Sequence, residues 1–114
     1  MKIPKPTDAD RARFLSLAPT ATGVEVKPMF GNLGAFVNGN MFMGLVGPAV
    51  GVKLSAHDAA VLSAVDGAGP FGPAERPMGG YVALPPDLIG TPEGQRWASA
   101  ALGHVAALPP KAKK

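Results

Sequence analysis

Glycine and proline constrain this chain more than any other feature: they supply 15 and 13 of its 114 residues. Proline has no N–H to give to a helix or a central strand, and glycine weakens both, so long uninterrupted elements are excluded. The two residues do not form low-complexity tracts. They fall between apolar segments, at Pro19, Gly23, Gly31, Gly34, Gly39, Gly47, Pro48 and through residues 67–77, and each marks a turn. With no internal repeat and no linker long enough to divide it, the chain is expected to form a single domain over residues 1–114. Its core spans about residues 8–108 and a basic tail covers 109–114.

Between these breaks the apolar spacing switches between helical and extended. Thr7 followed by Asp10 is a helix-start pattern, and Phe14, Leu15 and Ala18 recur at helical spacing up to Pro19, which predicts a first helix over residues 8–18. Val24 and Val26 alternate with Glu25 and Lys27, and Met29 and Phe30 carry this first strand to Gly31; Pro28 suits an edge position. Residues 35–37 and 40–46 flank Asn38-Gly39, the dipeptide that supplies the positive φ angles of a two-residue hairpin turn. After Gly47-Pro48, Val50, Val52 and Leu54 place three apolar side chains on one face of a fourth strand. Ser55 and Asp58 repeat the capping pattern before Val61, Leu62 and Val65, giving a second helix over about residues 56–66. Residues 67–77 read as an irregular loop and 78–84 as a fifth strand stopped by Pro85-Pro86. Thr91-Pro92 opens a third helix, whose face of Trp97, Ala98, Ala101, Leu102, Val105 and Leu108 ends near Pro109. The order α-β-β-β-β-α-β-α predicts an α+β domain, an antiparallel sheet of about five strands flanked by three helices.

The formal charge of +3 arises from 11 Lys and Arg against 8 Asp and Glu, and Lys111, Lys113 and Lys114 account for the excess. The body of the chain is balanced. It has no basic run or arginine-rich helix to follow phosphates, which argues against direct nucleic-acid binding. The absence of cysteine excludes a disulfide framework, a thiolate nucleophile and cysteine-based metal sites. The first six residues contain no apolar targeting segment, and no stretch approaches the roughly 18 apolar residues of a membrane span. A cytoplasmic protein without membrane contact is expected.

No catalytic constellation emerges from the residue spacing. Gly67-x-Gly69-x-x-Gly72 has the spacing of a dinucleotide-binding loop, but it follows a predicted helix rather than a strand, and Pro70 and Pro73 deny it a helix N-terminus. Ser55, His57 and Asp58 crowd one helix start and point apart, so they cannot form a nucleophile relay. His57 and His104 are isolated from one another, and Glu25, Glu75 and Glu93 fall on separate elements. No catalytic, cofactor-binding or metal-binding residue is assigned, and no cofactor is expected. Met29, Met41, Met43 and Met78 with Phe30, Phe36 and Phe42 concentrate large, soft side chains around the sheet, as core or as a partner surface. Lys53 occupies the polar-facing position of an apolar strand, and Tyr81 is the lone tyrosine. Phe30, Phe42, Lys53 and Tyr81 form the candidate interaction surface.

The stretch from Val26 to Phe42, Val-Lys-Pro-Met-Phe-Gly-Asn-Leu-Gly-Ala-Phe-Val-Asn-Gly-Asn-Met-Phe, resembles the opening of the TfoX (Sxy) N-terminal domain family. That family typically reads Met-Phe-Gly-Gly, a short strand, a turn glycine and a Met-Phe or similar pair. Val52-Lys53, Pro70-Phe71, Gly80-Tyr81 through Pro85, and residues 97–101 follow in the family's order, so the resemblance covers residues 12–107. Asn32 stands where the family usually has a second glycine, and Asn tolerates the left-handed backbone conformation. The resemblance implies a compact α+β domain with no attributed catalytic residue, joined in TfoX proteins to a second, C-terminal domain. It also implies positive regulation of competence genes for DNA uptake, through the transcription machinery and the cyclic-AMP receptor protein. This chain ends at Lys114 without the second domain. It is therefore expected to be a stand-alone, non-enzymatic regulatory or adaptor domain whose partner is the transcription machinery or a transcription factor. A homodimer is expected from the small core and the apolar sheet residues. The alternative is a small-ligand-binding or enzymatic domain with an anion pocket formed by Lys53 and the 67–77 loop.

Overall fold

The computed structural model describes residues 5–29, 32–72 and 79–109. Helix α1 (Asp8–Leu17) starts at a capping box, in which Thr7 Oγ1 accepts from the Asp10 N–H at 3.1 Å and the Asp10 carboxylate accepts from the Thr7 N–H at 2.9 Å. That Thr7 N–H, with the Arg13 guanidinium 2.6 Å away, holds the Asp10 carboxyl below its usual range. Four strands follow, β1 (Val24–Met29), β2 (Asn32–Val37), β3 (Asn40–Val46) and β4 (Ala49–Lys53). Asn38 at φ 54° and Gly39 at φ 80° make the β2–β3 turn, and Gly47 at φ 59° precedes Pro48 in the β3–β4 turn. Helix α2 (Ala56–Ser63) is capped by Ser55; β5 (Gly69–Pro70), β6 (Tyr81–Ala83) and a 3-10 turn over Pro86–Leu88 lead to α3 (Pro92–Ala106), capped by Thr91.

Among the described residues the sheet has six strands in the order β1-β2-β3-β4-β6-β5, and every neighbouring pair is antiparallel. The additional strand is β5, which lies in the segment expected to be an irregular loop. Gly69 and Pro70 have little intrinsic preference for a strand, and they become one by pairing with Ala83 and Val82 of β6. The expected fifth strand is β6, shorter than its 78–84 reading; residue 78 lies outside the described residues.

One face of the sheet is the core. Phe14 and Leu17 of α1, Leu62 of α2, and Ala98, Ala101 and Val105 of α3 close on Val37, Leu45, Val50, Val52 and Leu84. Each fully buried Leu, Val or Phe contributes about 1.5–3 kcal/mol. Two expected core positions move to the surface: Leu15 is 52% exposed and Val61 is 46% exposed. Phe14, Leu17 and Ala18 share one side of α1 at i, i+3 and i+4, which leaves Leu15 rotated about 100° away from it. Gly94 lets α3 dock, because a Cβ there would run into the Leu88 carbonyl oxygen. Gln95 Nε2 then donates to Leu17 O at 3.1 Å and ties α3 to the end of α1.

A β-bulge decides which side of β3 is which. Phe36 pairs with Met41 but Ala35 pairs with Met43, so Phe42 is one residue more than the ladder needs. In a regular strand Phe42 would point away from Met43. The bulge instead turns it into the core beside Met43, with 0% exposure, and sends Met41 to the opposite face. Phe42 is therefore a core residue, and its place in the expected interaction surface is corrected. Asn32 opens strand β2. It is buried at the start of β2, where its Oδ1 accepts the Gly47 N–H at 2.9 Å and links β2 to the β3–β4 turn. Among the described residues no helix is long and apolar enough to cross a membrane.

Candidate functional site

The helices cover one face of the sheet; the residues of interest lie on the other. Strand alternation puts Lys27, Gly34, Gly44, Gly51, Ala83 and Gly69 in one row across β1, β2, β3, β4, β6 and β5, each in register with the next. Three consecutive glycines at the centre of that row leave a trough in the sheet surface. Their strand segments read Leu33-Gly34-Ala35, Met43-Gly44-Leu45 and Val50-Gly51-Val52.

Phe71, which directly follows β5, fills one end of the trough. A Cβ on Gly51 would run into its ring, and one on Gly44 would stand 3.2 Å from its Cε2. The ring is 1% exposed although it stands apart from the helix-side core. Phe36 and Met41 close over the other end, where a Cβ on Gly34 would lie 2.9 Å from Phe36 Cε1 and 3.0 Å from Met41 Sδ.

Tyr81 joins the two halves. Its ring centroid is 6.1 Å from that of Phe71 with the planes inclined at 37°, and its hydroxyl donates to the Met41 carbonyl oxygen at 2.7 Å. Burial pushes the Tyr81 phenol up to about 12. Lys53 stands directly opposite Tyr81 in the β4–β6 ladder, with Nζ 5.8 Å from the tyrosine ring centroid. At the far end Lys27 Nζ lies 4.9 Å from the centroid of Phe36. The face is thus an apolar strip of Phe36, Met41, Phe71 and Tyr81 with an ammonium group held over an aromatic ring at each end.

Of the residues expected to form the surface, Lys53 and Tyr81 come together here, Phe42 lies on the other side of the sheet, and Phe30 lies outside the described residues. The spacing-based reading placed Phe36 and Met41 among the large side chains around the sheet, as core or as a partner surface, and missed Phe71 as a member of this face. The signal was present in the three strand glycines, each flanked by apolar residues at positions where a half-exposed strand usually carries a polar side chain.

The remaining constellations take structural roles. Ser55 Oγ accepts the Asp58 N–H at 3.2 Å as the α2 cap. Gly67, Gly69 and Gly72 belong to the chain around β5, with no helix start among the described residues there. Among the described residues no three His, Cys, Asp or Glu side chains converge on a metal position. One cavity of about 320 Å³ lies between α2 and α3, against Asp58, Glu93, Arg96 and Trp97, and another of about 410 Å³ lies against Arg13, Gly67, Leu84 and Ile89. Neither borders Lys53.

No curated protein and no solved structure matches the chain. The sequence profile of the TfoX N-terminal domain matches residues 16–105, which includes every strand, the whole of α2 and nearly all of α3. The strands, the glycine row and the Lys53–Tyr81 pair all lie within that match, and the chain belongs to the TfoX N-terminal domain family.

Proposed function

We propose that this chain is a non-enzymatic regulatory adaptor that works in the cytoplasm through protein contacts made by the helix-free face of its sheet. The supporting observation is the strip of Phe36, Met41 and Tyr81 between two ring-mounted lysines, Lys27 and Lys53. Rigid aromatic and methionine side chains with positive ends suit a partner surface that is apolar at its centre and acidic at its rim. Family membership points to positive regulation of competence genes, with the transcription machinery or a transcription factor as that partner. A homodimer is part of this reading. The anion-pocket alternative draws on Lys53, whose ammonium faces the Tyr81 ring, and on the 67–77 loop, of which residues 73–77 lie outside the described residues.

The test is affinity capture from native lysate with the tagged chain, read by mass spectrometry, beside Lys53→Glu and Met41→Ser variants of unchanged melting temperature. RNA polymerase or a transcription factor recovered by the parent chain and lost from the variants supports the adaptor reading. Recovery that is indifferent to both variants, or recovery of the chain alone, overturns it.

A further inference from the structure

The two edges of the sheet are unequal. At one edge β5 is two residues long and contains Pro70, which leaves little to pair with. At the other, β1 offers six residues, Val24–Met29, and among the described residues only β2 pairs with it. The direction of its free backbone groups follows from the β2–β3 hairpin. Val37 and Asn40 flank a two-residue turn and are therefore a hydrogen-bonded pair, so the peptide groups of Val37, Ala35 and Leu33 face β3, and those of Phe36 and Gly34 face β1. On β1 the groups of Glu25 and Lys27 consequently face β2, and those of Val24, Val26 and Pro28 face outward. Val24 agrees with this, since its N–H donates to Ala21 O at 3.1 Å rather than to the ladder. Pro28 has no N–H. Val26 is left as the one central residue of β1 with both a donor and an acceptor aimed off the sheet.

We propose that β1 pairs antiparallel with the β1 of a second copy of this chain, about a two-fold axis through Val26, so that Glu25 of each protomer meets Lys27 of the other. The inference rests on the homodimer reading above and names its surface. Charge selects the register. A two-fold centred on Glu25 opposes two carboxylates, and one centred on Lys27 opposes two ammonium groups, whereas the Val26 centre forms two opposite-charge pairs. Backbone geometry selects the same register. Val26 opposite Val26 is a reciprocal hydrogen-bonded pair, and Glu25 opposite Lys27 is then a non-hydrogen-bonded pair, the arrangement that brings side chains closest. Side-chain position agrees as well. Glu25 and Lys27 are exposed, Lys27 is held over Phe36, and Glu25 has no ion-pair partner among the described residues. On the helix side, Val24, Val26 and Leu33 are only half-buried, because α3 packs on β3 and β4 and reaches no further than β2 with any substantial contact. A second copy continues the sheet and brings its own half-buried valines to the seam.

Sedimentation equilibrium of the full chain tests this. The parent chain is expected to dimerise, and Glu25→Lys and Lys27→Glu variants are each expected to associate at least about tenfold more weakly, since both pairs become repulsive. The double variant Glu25→Lys/Lys27→Glu restores the pairing and the affinity. An equimolar mixture of the two single variants forms a heterodimer, because a strand with two lysines then faces a strand with two glutamates. Circular dichroism of each variant establishes that the fold is intact. Single variants that dimerise as well as the parent chain overturn the β1 surface and leave the homodimer reading in place. A parent chain that is monomeric up to millimolar concentration overturns both, while the adaptor reading still stands or falls on its Lys53 and Met41 variants.

Discussion

The two faces of this sheet are packed by opposite means. On the helix side large side chains from both layers interlock, so that Phe42, Met43 and Val52 are wholly buried in the core that α3 closes over β3 and β4. On the other side the sheet makes room by omission. Gly34, Gly44 and Gly51 present bare backbone, and the rings of Phe36 and Phe71 settle into the space. The first face is held by many mutually dependent neighbours, the second by a few rings resting on strands that exist independently of them. A helix-side substitution therefore acts on the whole fold, whereas one on the open face alters the surface and leaves the fold standing.

Three substitutions test that contrast. Phe42→Ala gives the largest effect, a loss of about 3–5 kcal/mol in chemical denaturation, because it opens a cavity in the core between α3 and the sheet. A loss below about 1 kcal/mol would place Phe42 outside the core and show that the bulge does not turn it inward. Gly51→Ala comes next, at about 1–3 kcal/mol, since the new methyl displaces the Phe71 ring. In a Phe71→Ala background the same change should be close to neutral. Equal losses in the two backgrounds would show that Gly51 serves the backbone and not the ring. Tyr81→Phe is the smallest, about 0.5–1.5 kcal/mol for the lost bond to the Met41 carbonyl.

Tyr81 also carries a pH signature. Burial disfavours the phenolate, so the folded chain keeps this proton up to about pH 12, while an unfolded tyrosine loses it near 10. The stabilisation is complete below about pH 10 and disappears as the pH rises to 12. Denaturation of the parent chain should show that decline, and Tyr81→Phe should lack it.

Features fixed by neighbours in sequence could be read from the residues. Asn38-Gly39 dictated its turn through positive φ, Thr7, Ser55 and Thr91 each marked a helix start, and alternating Val50, Val52 and Leu54 located a buried strand face. Features fixed by distant partners could not. The Phe42 bulge is a property of two strands together, and within β3 alone the Met-Phe-Met run reads equally well with either parity. Gly69 and Pro70 became a strand only because β6 lies beside them. The candidate site divides the same way. Lys53 and Tyr81 were legible as unusual single residues, but Phe71 acquires its place from Gly44 and Gly51, two glycines on two other strands.

The tight turns of the meander also impose an order in time. Strands β2, β3 and β4 are joined by two-residue connections, so each can find its neighbour with little loss of chain freedom. Strand β6 must reach β4 from beyond α2, and the Tyr81 hydroxyl spans 40 residues to meet Met41. The meander is therefore expected to form ahead of the docking of the strand that carries Tyr81. Lys53 is expected to gain its aromatic platform only when β6 docks, so the Lys53–Tyr81 pair should be absent from a chain whose meander has formed alone.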